Sequence, residues 1–107
     1  MPFIKLTDIE AKEIIPGYKA RMVHSENMTS AYWTIEAGKS LPHHSHPHEQ
    51  LSTMLEGEFQ LTLDGEARIV KPGDMAVIPG GVFHSGTAIT DCKILDVFYP
   101  VREDYVT

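Results

Sequence analysis

Residues 58–71 read EFQLTLDGEARIVK, and no other stretch constrains the fold as tightly. Phe59, Leu61 and Leu63 alternate with polar residues, which puts them on one face of an extended strand. Asp64-Gly65 follows, a pair suited to the positive φ angles of a two-residue hairpin turn, and residues 66–71 supply the returning strand. The same grammar recurs along the chain. Residues 29–36 (TSAYWTIE) are rich in β-branched and aromatic types, with Ala31, Trp33 and Ile35 on one face and Ser30, Tyr32 and Thr34 on the other. Further short runs at 50–55, 75–78 and 93–99 are punctuated by Glu56-Gly57, Pro72-Gly73-Asp74, Pro79-Gly80-Gly81 and Pro100, and another strand is expected to start near His84. No long 3.6-residue periodicity occurs; Thr7, with Glu10 three residues on, suggests a capped helical turn over Thr7–Lys12. The chain is therefore expected to be an all-β sandwich or barrel.

The 107 residues suffice for one domain with a modest core, so a single domain over 1–107 is expected. A short sheet-rich chain has edge strands to cover, which makes self-association plausible. The net charge of −6, with scattered Lys and Arg, argues against nucleic acid as a partner but leaves room for a small anion held by one local Arg. No apolar run is long enough to span a membrane. MPFIKLTDIE reaches an acidic residue too early for an export signal, so a cytoplasmic location is expected. The single Cys92 lies among strand-like apolar residues and reads as a small buried hydrophobe.

Five of the six histidines fall within GKSLPHHSHPHEQ, residues 38–50, and the region of His84. The tract lies mid-chain between strands and contains Pro42 and Pro47, unlike a solvated terminal tag. In an extended segment His44 and His46 point the same way and can bring two imidazoles to one point. Gln50 can add a carbonyl oxygen, Glu49 being its rival on charge grounds, and His84 could return across two hairpins. His43 should face away, and His48 follows Pro47, which turns the chain. Three imidazoles and an amide would form a neutral set suited to Zn, Ni, Fe, Mn or Co.

These residues carry a resemblance. Gly38, His44, His46, position 50 and Gly57 follow the spacing of the first motif of the cupin superfamily, and Gly73, Pro79, Gly81, His84 and position 88 follow the second. Gln50 stands where the glutamate is usual, and Ala88 where an asparagine is. The resemblance implies a small cupin jelly-roll barrel holding one divalent metal on His44, His46, Gln50 and His84. The missing glutamate weakens the analogy to oxygen-activating and oxalate-degrading cupins. More narrowly, HSHPHEQLSTMLEGEFQLTLDGE and LDVFYPVREDY resemble the pectin-degradation protein KdgF family, in which glutamine is a metal ligand. That resemblance implies conversion of 4,5-unsaturated uronate monomers to linear 5-keto-4-deoxyuronate. The family's catalytic Asp and Arg fall on Asp96 and Arg102, and family habit adds a homodimer.

The residues themselves bear on those roles. Asp96 lies within the apolar run ILDVF and shares strand parity with Ile94 and Phe98, so a pocket on that face would receive its carboxylate and raise its pKa. Arg102 could grip a sugar carboxylate in bidentate fashion or simply balance Glu103 or Asp104. Phe98 could wall the sugar or fill the core. Arg21 and Tyr32 are further candidates without a specific signal, and Met28 and Met54 read as space-fillers. Rival readings on the same scaffold are a dioxygenase, another sugar isomerase, or a small-molecule-binding module without catalysis.

Overall fold

The computed structural model describes residues 3–106. Ten strands form two antiparallel sheets: β1 (Lys12–Ile15), β2 (Tyr18–His24), β3 (Thr29–Ile35), β4 (Ser40–His44), β5 (Glu49–Glu56), β6 (Phe59–Leu63), β7 (Glu66–Val70), β8 (Met75–Ile78), β9 (His84–Ala88) and β10 (Cys92–Tyr99). One sheet has six strands in the order β1-β2-β3-β10-β5-β8; the other has four in the order β4-β9-β6-β7. This two-sheet antiparallel arrangement is the expected small jelly-roll barrel. Among the described residues no helix is long and apolar enough to cross a membrane.

The 58–71 hairpin forms in the expected register, with Leu63 opposite Glu66 and positive φ at Asp64 and Gly65. Phe59, Leu61 and Leu63 face inward. The Thr7 cap does not form. A 3-10 turn covers Leu6–Asp8 with Lys5 at its cap position and no side-chain cap, and the chain enters β1 by Lys12. Strands β1, β2 and β4 have no counterpart in the sequence reading. Their residues carry weak alternation, and all three find their place by pairing with β2, β3 and β9 respectively.

Alternation along β10 organises the interior. Cys92, Ile94, Asp96 and Phe98 all point inward and are buried. The first two join Tyr18, Ile35, Met54, Phe59 and Ala88 in the apolar core. The last two lie further along the strand, opposite Ser52 and Gln50 of β5. One strand thus runs from the apolar core to the polar side chains of the site. Cys92 is buried as expected, its thiol donating to the Glu58 and Thr90 carbonyls. Met54 is a core residue, whereas Met28 is exposed.

The outer faces of the sheets differ. On the four-stranded sheet the outward row Ser40–Thr87–Gln60–Ile69 and its neighbour Ser85–Thr62–Ala67 are mostly polar. On the six-stranded sheet the outward rows are Val23–Ser30–Val97–Leu51–Val77 and Arg21–Tyr32–Leu95–Thr53–Met75. Met75 is 59% and Val77 62% exposed, unusual for an antiparallel sheet face turned to water.

Candidate active site

His44 ends β4 and faces His84, the first residue of β9, as its cross-strand partner. Their ring centroids are 4.1 Å apart. His46 follows on the loop into β5, its ring 5.0 Å from that of His84. That loop is tied to the Pro79-Gly80-Gly81 turn, since Gly81 N–H donates to the His46 carbonyl at 2.8 Å. A Cβ at Gly80 would collide with the Pro47 carbonyl, so glycine is what lets turn and loop approach.

One feature is common to the three rings. Nδ1 of His44 is 2.7 Å from the Pro42 carbonyl, Nδ1 of His46 is 3.0 Å from that of His48, and Nδ1 of His84 is 3.0 Å from that of Val82. A carbonyl only accepts, so each Nδ1 carries a proton, and the neutral ring then leaves the lone pair on Nε2. The ligand nitrogens of the three lie within 4.8 Å of one another. Burial is the main reason why His46 is lowered to about 4, with Arg102 and His84 adding to it, and burial also lowers His84. Neutral rings in fixed tautomers are the ligand form that a metal requires.

Gln50 joins them from β5. Its Oε1 is 3.1 Å from His46 Nε2. With Nε2 unprotonated, these are two acceptors facing one another, an arrangement that a shared cation satisfies. Gln50 also acts on Asp96, as a polar neighbour that favours the ionised carboxylate. Glu49, the rival ligand, points outward and is exposed. His43 also faces away, stacked on Phe83 at 4.8 Å. His48 packs beside His46 and Phe98, yet lies outside the ligand cluster. The donor set thus fits a divalent metal, as cupins commonly bind.

A cavity of roughly 170 Å³ opens from this cluster, with Gln50, Asp96, Phe98, Arg102 and Tyr105 among its walls. It suits a ligand smaller than the drug-sized occupants of typical ~300–1,000 Å³ pockets. Asp96 is 8% exposed, and its Oδ1 is buried without a well-formed hydrogen bond, as is Trp33 Nε1. Burial pushes the Asp96 carboxyl up to about 6, against the polar groups of Ser52, Gln50 and Trp33 and the charge of Arg102. A carboxyl poised there can exchange protons near neutral pH.

Arg102 is 7% exposed. Its backbone N–H donates to Thr29 Oγ1 at 2.9 Å, anchoring the last segment to the start of β3. Nε and Nη2 donate to the two carboxylate oxygens of Asp104 at 3.0 and 2.8 Å. Phe98 and Tyr105 bracket the guanidinium carbon at 4.7 and 4.2 Å from their centroids. The other two candidates lie elsewhere: Arg21 donates to the Ile9 carbonyl, and Tyr32 is on the outer face. Ser52, Trp33 and Tyr105 were not among the site candidates that the sequence offered. Ser52 shares strand parity with Gln50 and could have been found that way, but no local signal marks Tyr105.

The cupin-domain family model matches residues 31–98. The chain belongs to the cupin family. This cupin is 30% identical over 66 residues to "Pectin degradation protein KdgF" of Dickeya dadantii; the match covers 61% of this chain and 60% of that protein. The chain thus spans about three fifths of that relative's length. Its fold superposes on KdgF from Halomonas sp. with a TM-score of 0.92 at 26% identity, covering 99% of both chains. An RmlC-like cupin from Shewanella frigidimarina superposes with a TM-score of 0.94 at 29% identity, covering 99% of this chain and 96% of that one.

Proposed function

We propose that this cupin is a metal-dependent enzyme that converts 4,5-unsaturated uronate monomers, the products of pectin or alginate lyases, to linear 5-keto-4-deoxyuronate. The observation that carries the reading is the juxtaposition in one small cavity of a neutral His44–His46–Gln50–His84 donor set, the buried carboxyl of Asp96 and the guanidinium of Arg102. The likeness to KdgF proteins over the whole fold supports the substrate class.

The substrate is a cyclic hemiacetal with a carboxylate and a double bond next to the ring oxygen. A divalent metal on the four donors would supply Lewis acidity where negative charge develops on oxygen. Asp96 takes the proton from the anomeric hydroxyl, C1 becomes the aldehyde carbon, and the bond from C1 to the ring oxygen breaks. The ring oxygen is left as an enolate. The proton held by Asp96 then passes to C4, which turns the enolate into the 5-ketone. Atoms balance with one proton moved from oxygen to carbon, and no redox step is needed. Arg102 orients the carboxylate, and Phe98 gives the sugar an apolar wall.

The test mixes metal-loaded protein with freshly lyase-generated unsaturated galacturonate and follows the ultraviolet absorbance of the double bond. Loss well above the spontaneous rate is expected. No acceleration with Zn, Ni, Mn or Fe in turn sinks the reading.

The apolar outer face of the six-stranded sheet supports the homodimer, with a second copy of the chain as its occupant. A twofold axis across the strands would bury Leu51, Val77 and Met75 against the same residues of the second copy. Light scattering is expected to give twice the chain mass, and Leu51→Lys with Val77→Lys the single mass. A monomeric wild-type protein at micromolar concentration would refute it.

A further inference from the structure

We propose that Asp104 is a positioning residue that turns the end-on edge of the Arg102 guanidinium toward a carboxylate ligand; this rests on the uronate reading above. A guanidinium has two bidentate edges, one formed by Nε with Nη2 and one by Nη1 with Nη2. Asp104 occupies the first completely, through Nε at 3.0 Å and Nη2 at 2.8 Å. Phe98 and Tyr105 fix the guanidinium plane from two further sides. What remains is the second edge, made of one proton each from Nη1 and Nη2. Its shape matches a planar carboxylate and not a hydroxyl.

The placement of the two residues agrees. Arg102 and Tyr105 line the cavity, while Asp104 is not among the residues that do. Only 9% of the Arg102 side chain is exposed, against 55% of that of Asp104. Burial opposes the Arg102 charge, and the bonds to Asp104, followed by Tyr105, more than restore it. Asp104 in turn is held below the usual carboxylate range by Arg102. The pair is close to neutral, so recognition comes from aimed hydrogen bonds more than from net charge.

That balance gives the test a sign. If Asp104 only neutralised Arg102, its removal would leave a stronger cation and tighter anion binding. If it positions Arg102, its removal frees the long side chain and weakens binding. The probe is D-galacturonate, the saturated uronate, titrated calorimetrically into metal-loaded protein, with D-galactose as the neutral control. Expected are binding of galacturonate in preference to galactose, about tenfold weaker binding in Asp104→Ala, and a smaller loss in Asp104→Asn, which keeps one acceptor. Adding Asp104→Ala to Arg102→Ala should cost nothing further, the mark of action through Arg102. With the lyase product, KM should rise more than kcat falls. Unchanged or tighter galacturonate binding by an Asp104→Ala protein of wild-type melting temperature overturns the inference, as does a wild-type protein that does not bind galacturonate. Asp104-dependent binding without turnover of the unsaturated uronate would instead retire the proposed reaction and leave the positioning role standing.

Discussion

His44 and His84 stand opposite each other across β4 and β9, their rings 4.1 Å apart and each with Nδ1 on a backbone carbonyl two residues earlier. Two strands from distant parts of the sequence thus converge on one pair of lone pairs. Removing either ring takes away a quarter of the proposed donor set.

His84→Ala is therefore expected to lower bound metal to under about a tenth of the wild-type content, since one lost imidazole from a four-donor site costs orders of magnitude in affinity. His43→Ala, on an exposed ring that faces away, should keep full metal. Elemental analysis of the purified proteins after dialysis measures both. Equal metal in the two variants would mean that the cluster is not the binding site.

Gln50→Glu tests the neutral ligand set. A carboxylate at this position attracts a divalent cation more strongly, and metal affinity should rise about tenfold by chelator competition. The same change removes a polar neighbour that favours ionised Asp96 and sets a second carboxylate near it. Ring opening is expected to slow by roughly a hundredfold.

The raised Asp96 pKa sets a pH dependence of stability in the metal-free protein. Its folded value of about 6 exceeds the ordinary 3.8, so the unfolded chain releases this proton first as pH rises. The stability it contributes is complete below pH 3.8 and is lost as pH climbs through 6. Asp96→Asn should accordingly raise stability at pH 8 by on the order of 2–3 kcal/mol, the worth of lifting the carboxyl from 3.8 to about 6, and leave it almost unchanged near pH 3.5. Chemical denaturation at the two pH values measures this. The same variant should lose ring-opening activity while retaining metal, as befits a residue that trades stability for chemistry.

Two glycines with similar positive φ separate strain from crowding. Gly65 (φ 83) opens onto empty space, whereas a Cβ at Gly57 (φ 85) would strike the Asp91 backbone carbonyl. Gly65→Ala is expected to cost about 1 kcal/mol through the left-handed conformation alone. Gly57→Ala should cost more than about 2 kcal/mol, because backbone cannot swing aside as a side chain can. Thermal melts of the two variants compare them directly.

Strands β3, β5, β6, β7, β8 and β10 were legible because each alternates or is bounded by Gly, Pro or Asp-Gly. Strands β1, β2 and β4 were not, since pairing with neighbours rather than local pattern holds them extended. Gln50 could be preferred to Glu49 only through the family pattern. The strand starts at Glu49, and parity then turns Glu49 outward to pair with Tyr99 and Gln50 inward beside Phe98. Arg102 remained open between a surface charge and a clamp, because nothing local says whether a side chain after Pro100 folds back over the cavity.

What the sequence determined by itself was what short-range chemistry controls: the hairpin at Asp64-Gly65, the inward face of β10, and the in-phase pairing of His44 with His46. Tertiary structure alone decided which residues meet. His84 joins His44 through the β4–β9 pairing, Asp96 meets Ser52 and Gln50 across β10 and β5, and Arg102 is buried between Phe98, Tyr105 and Asp104. The reason is physical. Side-chain direction in a strand repeats every two residues and can be read locally. Contact between strands depends on register across the whole sheet, and on burial that no single segment can specify.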